Sequence, residues 1–440
     1  MGAAAPSPVR HRQAAEIEGL DLAASTEAPR PIEQPAVVQR FLLALCAVLA
    51  VVAPLCLFLG VRGFAPVVGI AGLLCIPWAR PTREDRSGAL ILAALVLWAA
   101  ITLAWSPAPN LQLPHSAKAL SRFTILHLAM QLAFCTAFVA ALARLDGPAA
   151  GKALGWMAIG FLIVPLLLIE EGLTQARLYQ ALPALIGRPV RPDWIPANLA
   201  QGGYVVAVVA WPLGVALWRR GRPRLALALA ATVPLSMVAL RGAAPTLALA
   251  ISLPVFFLTL RSARPAIKAF AAVTAVYMLA TPLVMLTVDR AGFYARFRAD
   301  LAVSWAERLR IWSFVAERWA ATPLRGAGLD ASRAFPGVVP LHPHNGPLQL
   351  WFELGLPGAV LGTLFWLWLW GRIGECAGRD RLHGATAAAT ATVYLAIGAV
   401  SFGLWQEWWL CLGAFAMALC VLLGRALGSH AALHKKRPLA

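Results

Sequence analysis

Long apolar runs constrain the fold of this chain more than any other feature of its sequence. The run Phe41–Gly60 contains no charged residue, and a membrane-spanning helix needs about 20 such residues. Strands of a membrane barrel would instead alternate apolar and polar residues over about 10 positions. Because only helices and closed barrels satisfy their backbone polar groups within a bilayer, these runs predict an all-α polytopic integral membrane protein.

The composition supports this fold class. Hydrophobic residues make up 60% of the 440 residues and charged residues 13%, against about 45–50% and 25% in soluble domains. These values exclude a disordered chain, a coiled coil and a secreted disulfide scaffold. The seven cysteines form no C-x-x-C pair, so neither a disulfide framework nor a thiolate metal site is predicted. The net charge of +18 fits anionic lipid headgroups better than nucleic acid.

Basic residues predict the orientation of the spans, because Lys and Arg accumulate on the cytoplasmic side of a membrane. With the N-terminus placed in the cytoplasm, 23 of the 38 Lys and Arg residues fall in cytoplasmic segments. We therefore expect both termini to be cytoplasmic and the number of helices to be even. About twelve spans are predicted, at 41–60, 64–79, 87–105, 121–142, 153–170, 197–217, 224–240, 244–260, 267–288, 346–371, 384–403 and 406–426.

These spans divide the chain into five regions. The predicted regions are a disordered cytoplasmic tail at 1–35, nine transmembrane helices at 36–288 with an outer segment at about 171–196, a large helical outer loop at 289–345, three transmembrane helices at 346–426, and a basic cytoplasmic tail at 427–440.

The large outer loop contains a predicted amphipathic helix. Ser304 and Glu307 have the spacing of a capping box, and Pro323 with Gly326-Ala327-Gly328 would end the helix. One face carries apolar residues at helical spacing, namely Trp305, Leu309, Trp312, Val315 and Trp319. Such a helix is expected to lie along the outer membrane surface or to roof the bundle. A purely structural role for the Trp stripe is equally open, whereas Arg308 and Arg310 on its flank are candidate functional residues.

Arg241 is predicted to lie at or below the outer membrane surface. The stretch from Leu225 to Leu260 has 36 residues, and two full spans with their turn would need about 40. A charged side chain at such depth costs about 2.5–3.5 kcal/mol on insertion scales and usually marks a functional position. Snorkelling of the side chain to the interface is the alternative.

A histidine is predicted at the outer mouth of the tenth span. His344 follows His342-Pro343 and precedes Asn345-Gly346, and an imidazole can accept a proton near neutral pH. Two histidines at i, i+2 could instead bind a metal, but the sequence has no H-E-x-x-H or D-x-D motif. We therefore predict no metal and no cofactor, and a structural role for His342.

Two spacings in this region resemble a known family. In this chain His344-Asn345 is followed, after nine residues, by Gly355-x-x-Gly358. This spacing is similar to the signature of bacterial O-antigen ligases. Their superfamily also includes O-antigen polymerases and protein O-oligosaccharyltransferases. Two further features resemble this family. One is the Arg-Gly-Ala turn at Arg241, and the other is Arg308-x-x-x-Trp312 followed by Pro323. The resemblance covers about 190–360. The signature usually continues with small hydroxyl residues, where this chain has Ala359-Val360.

The resemblance implies a glycosyltransferase in the inner membrane of a Gram-negative bacterium, with its active site facing the periplasm. Its donor would be O-antigen linked to undecaprenyl pyrophosphate and its acceptor a sugar hydroxyl of lipid A-core. His344 would be the catalytic base of an inverting, metal-independent displacement. Arg241 and Arg308, with Arg191 as a third candidate, would bind the pyrophosphate.

Several roles and functions stay open at this stage. Asn345 and Gln349 either orient substrate oxygens or, for Asn345, cap a helix. Glu353 either pairs with an arginine in a structural role or takes part in catalysis, the structural role being favoured. A polymerase or a protein glycosyltransferase would use the same donor. A transporter of an anionic substrate is a more distant alternative, and a scaffold without activity would leave Arg241 and His344 unexplained.

Overall fold

A computed structural model describes residues 35–108, 124–185, 191–240, 242–298 and 300–435, together with Gly2. Helices dominate this part of the chain, and it contains no strand. In chain order they are α1 (Ala36–Leu59), α2 (Phe64–Cys75), α3 (Arg83–Thr102), α4 (Thr124–Leu142), α5 (Gly147–Leu173), α6 (Arg177–Leu185), α7 (Ile195–Arg219), α8 (Pro223–Ala239), α9 (Ala244–Arg261), α10 (Ala263–Arg290), α11 (Phe293–Arg298), α12 (Val303–Ala321), α13 (Gly346–Arg379), α14 (Arg381–Gly398) and α15 (Glu407–Lys435). Short 3₁₀ turns occupy Val61–Gly63, Ile76–Trp78, Pro192–Trp194 and Ala331–Ala334.

The predicted polytopic, all-α fold is confirmed, with ten membrane-spanning candidates among the described residues where about twelve were predicted. The candidates are α1, Val61–Trp78, α3, α4, α5, α7, α9, α10, α13 and the part of α15 up to Gly428. Two predicted spans differ. Helix α8 has only 17 residues, which is short for a bilayer core. Helix α14 begins with Arg381, contains His383 and is rich in Ala and Thr, so it is less apolar than the other spans.

The core of the bundle is centred on α15. The ring of Phe415 contacts rings from three other helices, with centroid distances of 5.4 Å to Phe64, 6.2 Å to Phe138 and 5.6 Å to Phe161. Because side chains of α2, α4 and α5 meet at one aromatic residue, the position of α15 is fixed relative to the first half of the chain. Helix α15 runs to Lys435, beyond the predicted end of the last span at 426.

Basic residues gather at one end of the bundle, where several donate to backbone carbonyls of neighbouring turns. Arg144 Nη1 donates to Trp78 O at 2.9 Å, Arg220 Nη1 donates to Gly151 O at 2.8 Å, and Arg425 Nε donates to Ala143 O at 2.7 Å. Helix α3 begins at this end of the bundle, and α15 ends there. The candidate site described below lies at the other end of the bundle, across from the arginine-rich turns.

The predicted start of the long loop helix is wrong by two residues. Helix α12 begins at Val303 after Ala302, which makes no side-chain capping bond, so Ser304 lies inside the helix and cannot form the predicted capping box. Glu307 instead accepts hydrogen bonds from Arg310. The predicted end of the helix before Pro323 is confirmed, since α12 ends at Ala321.

The tryptophan stripe of α12 packs inward. Trp312 Nε1 donates to Pro343 O at 2.9 Å, and the Trp319 ring lies edge-on to Trp351 at 5.8 Å. Val315, between them on the same face, is fully buried. Helix α12 therefore covers the start of α13, which agrees with the predicted position over the bundle.

Candidate active site

A break inside α13 shapes the site. Gly355 has φ 63° and ψ −159°, a backbone conformation that residues with a side chain rarely adopt. It divides α13 into a buried half-helix, Gly346–Leu354, and a long second part that continues to Arg379. Because of the break, carbonyl groups near the end of the half-helix need hydrogen-bond partners from elsewhere in the protein.

The loop after α12 supplies most of these partners. Ala327 N donates to Phe352 O at 2.7 Å and Gly328 N donates to Glu353 O at 2.8 Å. Trp98 Nε1, from α3, donates to Leu354 O at 2.8 Å. The half-helix is therefore held by its own backbone against a loop and a neighbouring span.

The two glycine motifs found in the sequence form the two sides of this junction. A Cβ on Gly326 would lie 2.5 Å from Gly355 N, and a Cβ on Gly355 would lie 2.4 Å from Leu324 O. A Cβ on Gly358 would lie 2.2 Å from Leu354 Cβ, within the same bend. Gly355 and Gly358 thus permit the break in the helix and the close approach of the two backbone segments.

Glu353 joins three separate segments at the end of the half-helix. Its carboxylate is fully buried and accepts from four donors, which are Ser332 Oγ (2.5 Å), Trp405 Nε1 (2.6 Å), Asp330 N (3.0 Å) and Gln349 Nε2 (3.2 Å). The predicted partner was an arginine, and none of these donors is one. The preferred structural role fits, because the carboxylate ties α13 to the loop after α12 and to the turn before α15.

His344 stands immediately before the half-helix in a left-handed backbone conformation, with φ 57°. Its Nδ1 lies 2.7 Å from Ser401 O. Since a carbonyl oxygen can only accept, Nδ1 carries the proton and Nε2 has the free lone pair. Nε2 has no hydrogen-bond partner among the described residues. Burial lowers the pKa of His344, the positive charge of Arg308 lowers it further, and the hydrogen bond to Ser401 opposes both effects. The imidazole is thus neutral at pH 7.

His342 supports the backbone of His344. Its Nδ1 accepts a hydrogen bond from His344 N at 3.2 Å, and the two rings lie 4.2 Å apart. Burial, followed by electrostatic interaction with His344, Arg333 and Arg308, lowers the pKa of His342 well below its ordinary value. A neutral His342 whose Nδ1 accepts must carry its proton on Nε2, and the Gln406 amide 3.1 Å away can accept that proton only through its oxygen. This arrangement agrees with the structural role predicted for His342.

Arg308 reaches the same turn as His344. Its Nε donates to Val400 O at 2.6 Å and its Nη1 donates to Ser304 O at 2.7 Å. The guanidinium carbon lies 5.3 Å from the centre of the Trp305 ring. Burial lowers the pKa of Arg308 and Tyr204 raises it, but a guanidinium stays charged at neutral pH. Nη2 has no hydrogen-bond partner among the described residues, so it is available to an anion beside His344.

Two predicted contact residues are used inside the protein. Asn345 is 2% exposed; its Oδ1 accepts from Leu348 N at 2.8 Å and its Nδ2 donates to Ala399 O at 3.0 Å. It therefore caps the half-helix, which is the second of its two predicted roles and replaces the predicted contact with substrate. Gln349 is also buried, and its Oε1 accepts from Leu404 N at 2.8 Å.

The other two predicted arginines are less closely defined. Arg241 lies outside the described residues. Arg191 precedes the 3₁₀ turn at the start of α7, and its guanidinium carbon lies 5.1 Å from the centre of the Trp194 ring. Contact of either residue with a ligand stays a prediction.

Sequence reasoning missed the residues of the turn between α14 and α15. Val400 and Ser401 supply the carbonyls that hold Arg308 and His344, and Gln406 contacts His342. The only signal was the presence of two polar residues, Ser401 and Gln406, at the facing ends of two predicted spans, and it did not indicate which residues they contact.

The fold and the site define a class of protein: a polytopic helical membrane protein with a neutral histidine and a charged arginine side by side at one end of the bundle. Residues 195–362 match the family model described as O-antigen ligase, and this range contains Arg308 and His344. The chain is similar to O-antigen ligases over this region, which confirms the resemblance predicted from the histidine and glycine motifs.

Curated relatives agree with this family. A Rickettsia bellii protein named "putative polysaccharide ligase" is 35% identical over 133 residues, covering 27% of this chain and 32% of the relative. A "putative polysaccharide ligase" of Rickettsia conorii is 31% identical over 132 residues, covering 27% of this chain and 32% of the relative. One of Rickettsia typhi is 28% identical over 158 residues, covering 32% of this chain and 38% of the relative. The chain thus matches about a third of the length of each of these relatives.

Proposed function

We propose that this protein is a membrane glycosyltransferase. It transfers O-antigen glycan from undecaprenyl pyrophosphate to a sugar hydroxyl of lipid A-core, at the periplasmic face of a Gram-negative inner membrane. The observation that carries the proposal is the pairing of a neutral His344 with a charged Arg308, each bonded to a carbonyl of the same turn.

The proposed reaction is one displacement. His344 Nε2 removes the proton from the acceptor hydroxyl, and the resulting oxygen attacks the anomeric carbon of the donor. The new glycosidic bond forms as the bond from that carbon to the pyrophosphate oxygen breaks. Undecaprenyl pyrophosphate leaves with the bonding electron pair, and the proton stays on His344 until solvent removes it. A single displacement inverts the configuration at the anomeric carbon.

Arginine side chains would stabilise the departing pyrophosphate. Arg308 offers Nη2 beside His344, and a guanidinium fork suits phosphate oxygens better than a lysine point charge. Arg241 and Arg191 are the further candidates from the sequence. The reaction is proposed to need no metal ion, and loss of transfer in a purified assay on addition of EDTA would contradict this.

The orientation of the site follows from the two ends of the bundle. Arg144, Arg220 and Arg425 lie at the end opposite His344, and short basic turns face the cytoplasm. His344 is therefore proposed to face the periplasm, with both chain termini in the cytoplasm.

A transporter is a weaker explanation of the broken helix. In transporters, carbonyls freed by such a break coordinate ions or substrate near mid-membrane. Here Ala327 N, Gly328 N and Trp98 Nε1 already occupy the carbonyls at the break, so the break supports a fixed junction better than an ion site.

A cell-based transfer assay tests the proposed function. His344→Ala is expected to abolish glycan transfer while the protein remains in the membrane at near-normal abundance. Loss of glycan-capped lipopolysaccharide would support a ligase, loss of long chain lengths alone a polymerase, and loss of a glycoprotein a protein O-oligosaccharyltransferase. Full transfer by His344→Ala at equal abundance would contradict all three.

A further inference from the structure

Arg333 is an exposed cation near the histidine pair that the proposed reaction does not use. It lies in the 3₁₀ turn Ala331–Ala334. Its side chain is 42% exposed, and its Nε lies 3.4 Å from Asp330 Oδ1. An ion pair at such an exposed position contributes at most about 1 kcal/mol. Nη1 and Nη2 of Arg333 make no hydrogen bond to any described residue, so a structural role does not account for this guanidinium.

The turn that carries Arg333 is fixed to the rest of the site by Glu353. Asp330 N donates to Glu353 Oε2 at 3.0 Å, and Ser332 Oγ donates to Oε1 at 2.5 Å. Trp405 Nε1, from the turn before α15, donates to the same carboxylate at 2.6 Å. One buried carboxylate therefore sets the position of the Arg333 turn relative to the turn that holds Arg308 and His344.

The chain after Arg333 turns back towards the histidines. Val338 N and Val339 N both donate to Phe335 O, at 3.0 and 2.7 Å, which closes a tight turn between Arg333 and His342.

The charges of both arginines act on this histidine. Arg333 and Arg308 each lower the pKa of His342, so both guanidinium groups lie within electrostatic reach of its ring. The ring of His344 is 4.2 Å away, and Arg308 also lowers the pKa of His344. Two cations from separate segments thus lie near one histidine pair.

We propose that Arg308 and Arg333 together bind a diphosphate headgroup, with one guanidinium on each phosphate group. A guanidinium offers a planar fork that suits phosphate oxygens, and a diphosphate diester carries one negative charge on each phosphate. A monophosphate engages only one of the two arginines, so the pair selects diphosphates. The inference rests on the proposed function, whose donor and lipid product are diphosphates, and it adds a second cation and a selectivity for the headgroup.

Direct binding tests this without turnover. The full-length protein is purified in a neutral detergent and titrated with undecaprenyl pyrophosphate, with undecaprenyl phosphate and with inorganic pyrophosphate. The variant is Arg333→Gln, and Arg325→Gln, an exposed arginine earlier in the same loop, is the matched control. Midpoints of thermal unfolding establish that both variants are folded.

We expect the wild type to bind undecaprenyl pyrophosphate about tenfold more tightly than undecaprenyl phosphate, the difference typical of one charge-assisted phosphate contact. Arg333→Gln should weaken binding of both diphosphates about tenfold and of the monophosphate by about twofold at most, and Arg325→Gln should change neither.

Three results would overturn the shared role of the arginines: unchanged diphosphate binding by Arg333→Gln, equal weakening of monophosphate and diphosphate, or an equal effect of Arg325→Gln. Each of them leaves the transfer test on His344 unaffected. A wild type that binds no undecaprenyl pyrophosphate would contradict the proposed function as well.

Discussion

His344 and Arg308 are held by consecutive carbonyl oxygens of one turn. Nδ1 of His344 donates to Ser401 O at 2.7 Å, and Nε of Arg308 donates to Val400 O at 2.6 Å. The two side chains come from different elements, one from the start of α13 and one from α12. The turn between α14 and α15 therefore sets the separation between a base and a cation, and movement of that turn would displace both.

The proximity of the two residues predicts a pH dependence. A nearby positive charge disfavours the protonated imidazole, so Arg308 keeps the pKa of His344 low, in addition to the larger effect of burial. Transfer by the wild type should rise with pH through this lowered pKa and level off above it. In Arg308→Gln the pKa should be higher, and the acidic limb of the transfer rate should move to higher pH. A limb that stays in place or moves to lower pH would contradict the electrostatic coupling.

The break in α13 predicts a sharp difference between two glycines of the same helix. Gly355→Ala should destabilise the protein by at least about 1–2 kcal/mol, because of the left-handed conformation and because a Cβ would lie 2.4 Å from Leu324 O. A Cβ on Gly371 would have no atom within 4 Å. Gly371→Ala should therefore be neutral or stabilise the protein by about 0.5–1 kcal/mol. Midpoints of thermal unfolding in detergent compare the two. Equal midpoints would show that the break is not required.

Glu353 should contribute strongly to stability without entering the chemistry. Glu353→Ala leaves four buried donors without their acceptor, and we expect a loss of about 3 kcal/mol. Glu317→Ala, at an exposed position of α12, is the control and should change stability by less than about 0.5 kcal/mol. A similar midpoint of thermal unfolding for both variants would refute the role of the carboxylate.

His342 is expected to act by positioning His344. His342→Ala removes the acceptor for His344 N and should lower the transfer rate at saturating donor about tenfold, with little change in donor KM. His342→Asn keeps a side-chain acceptor and should recover part of the rate. A change confined to KM, or no recovery by asparagine, would point to a different role.

The fold class and the position of His344 could be predicted because each depends on local sequence. An uncharged run such as Phe41–Gly60 has few alternatives to a span, and His344 lies directly at the start of one. Arg308 was found in the same way, on the flank of an amphipathic helix.

Features that depend on distant contacts could not be predicted. In the sequence, Gly355 within an apolar run is compatible with close helix packing. Its left-handed backbone depends on contact with the loop that contains Gly326, and the sequence does not indicate that contact. From the sequence alone, Asn345 could either orient substrate or cap a helix, because the position of Ala399 O beside it depends on a distant segment. The capping box at Ser304 failed because the chain enters α12 two residues earlier than the spacing suggests. For Gly355 and Asn345, a contact with a residue far away in sequence decided the local structure.

The most direct test of the central claim separates donor binding from transfer. The purified protein is reconstituted in proteoliposomes with the undecaprenyl-pyrophosphate-linked glycan and lipid A-core, and both donor binding and product formation are measured. We predict that His344→Ala binds the donor normally but forms no product, and that Arg308→Lys binds the donor more weakly and transfers more slowly. Product formation by His344→Ala at the wild-type rate would contradict the account.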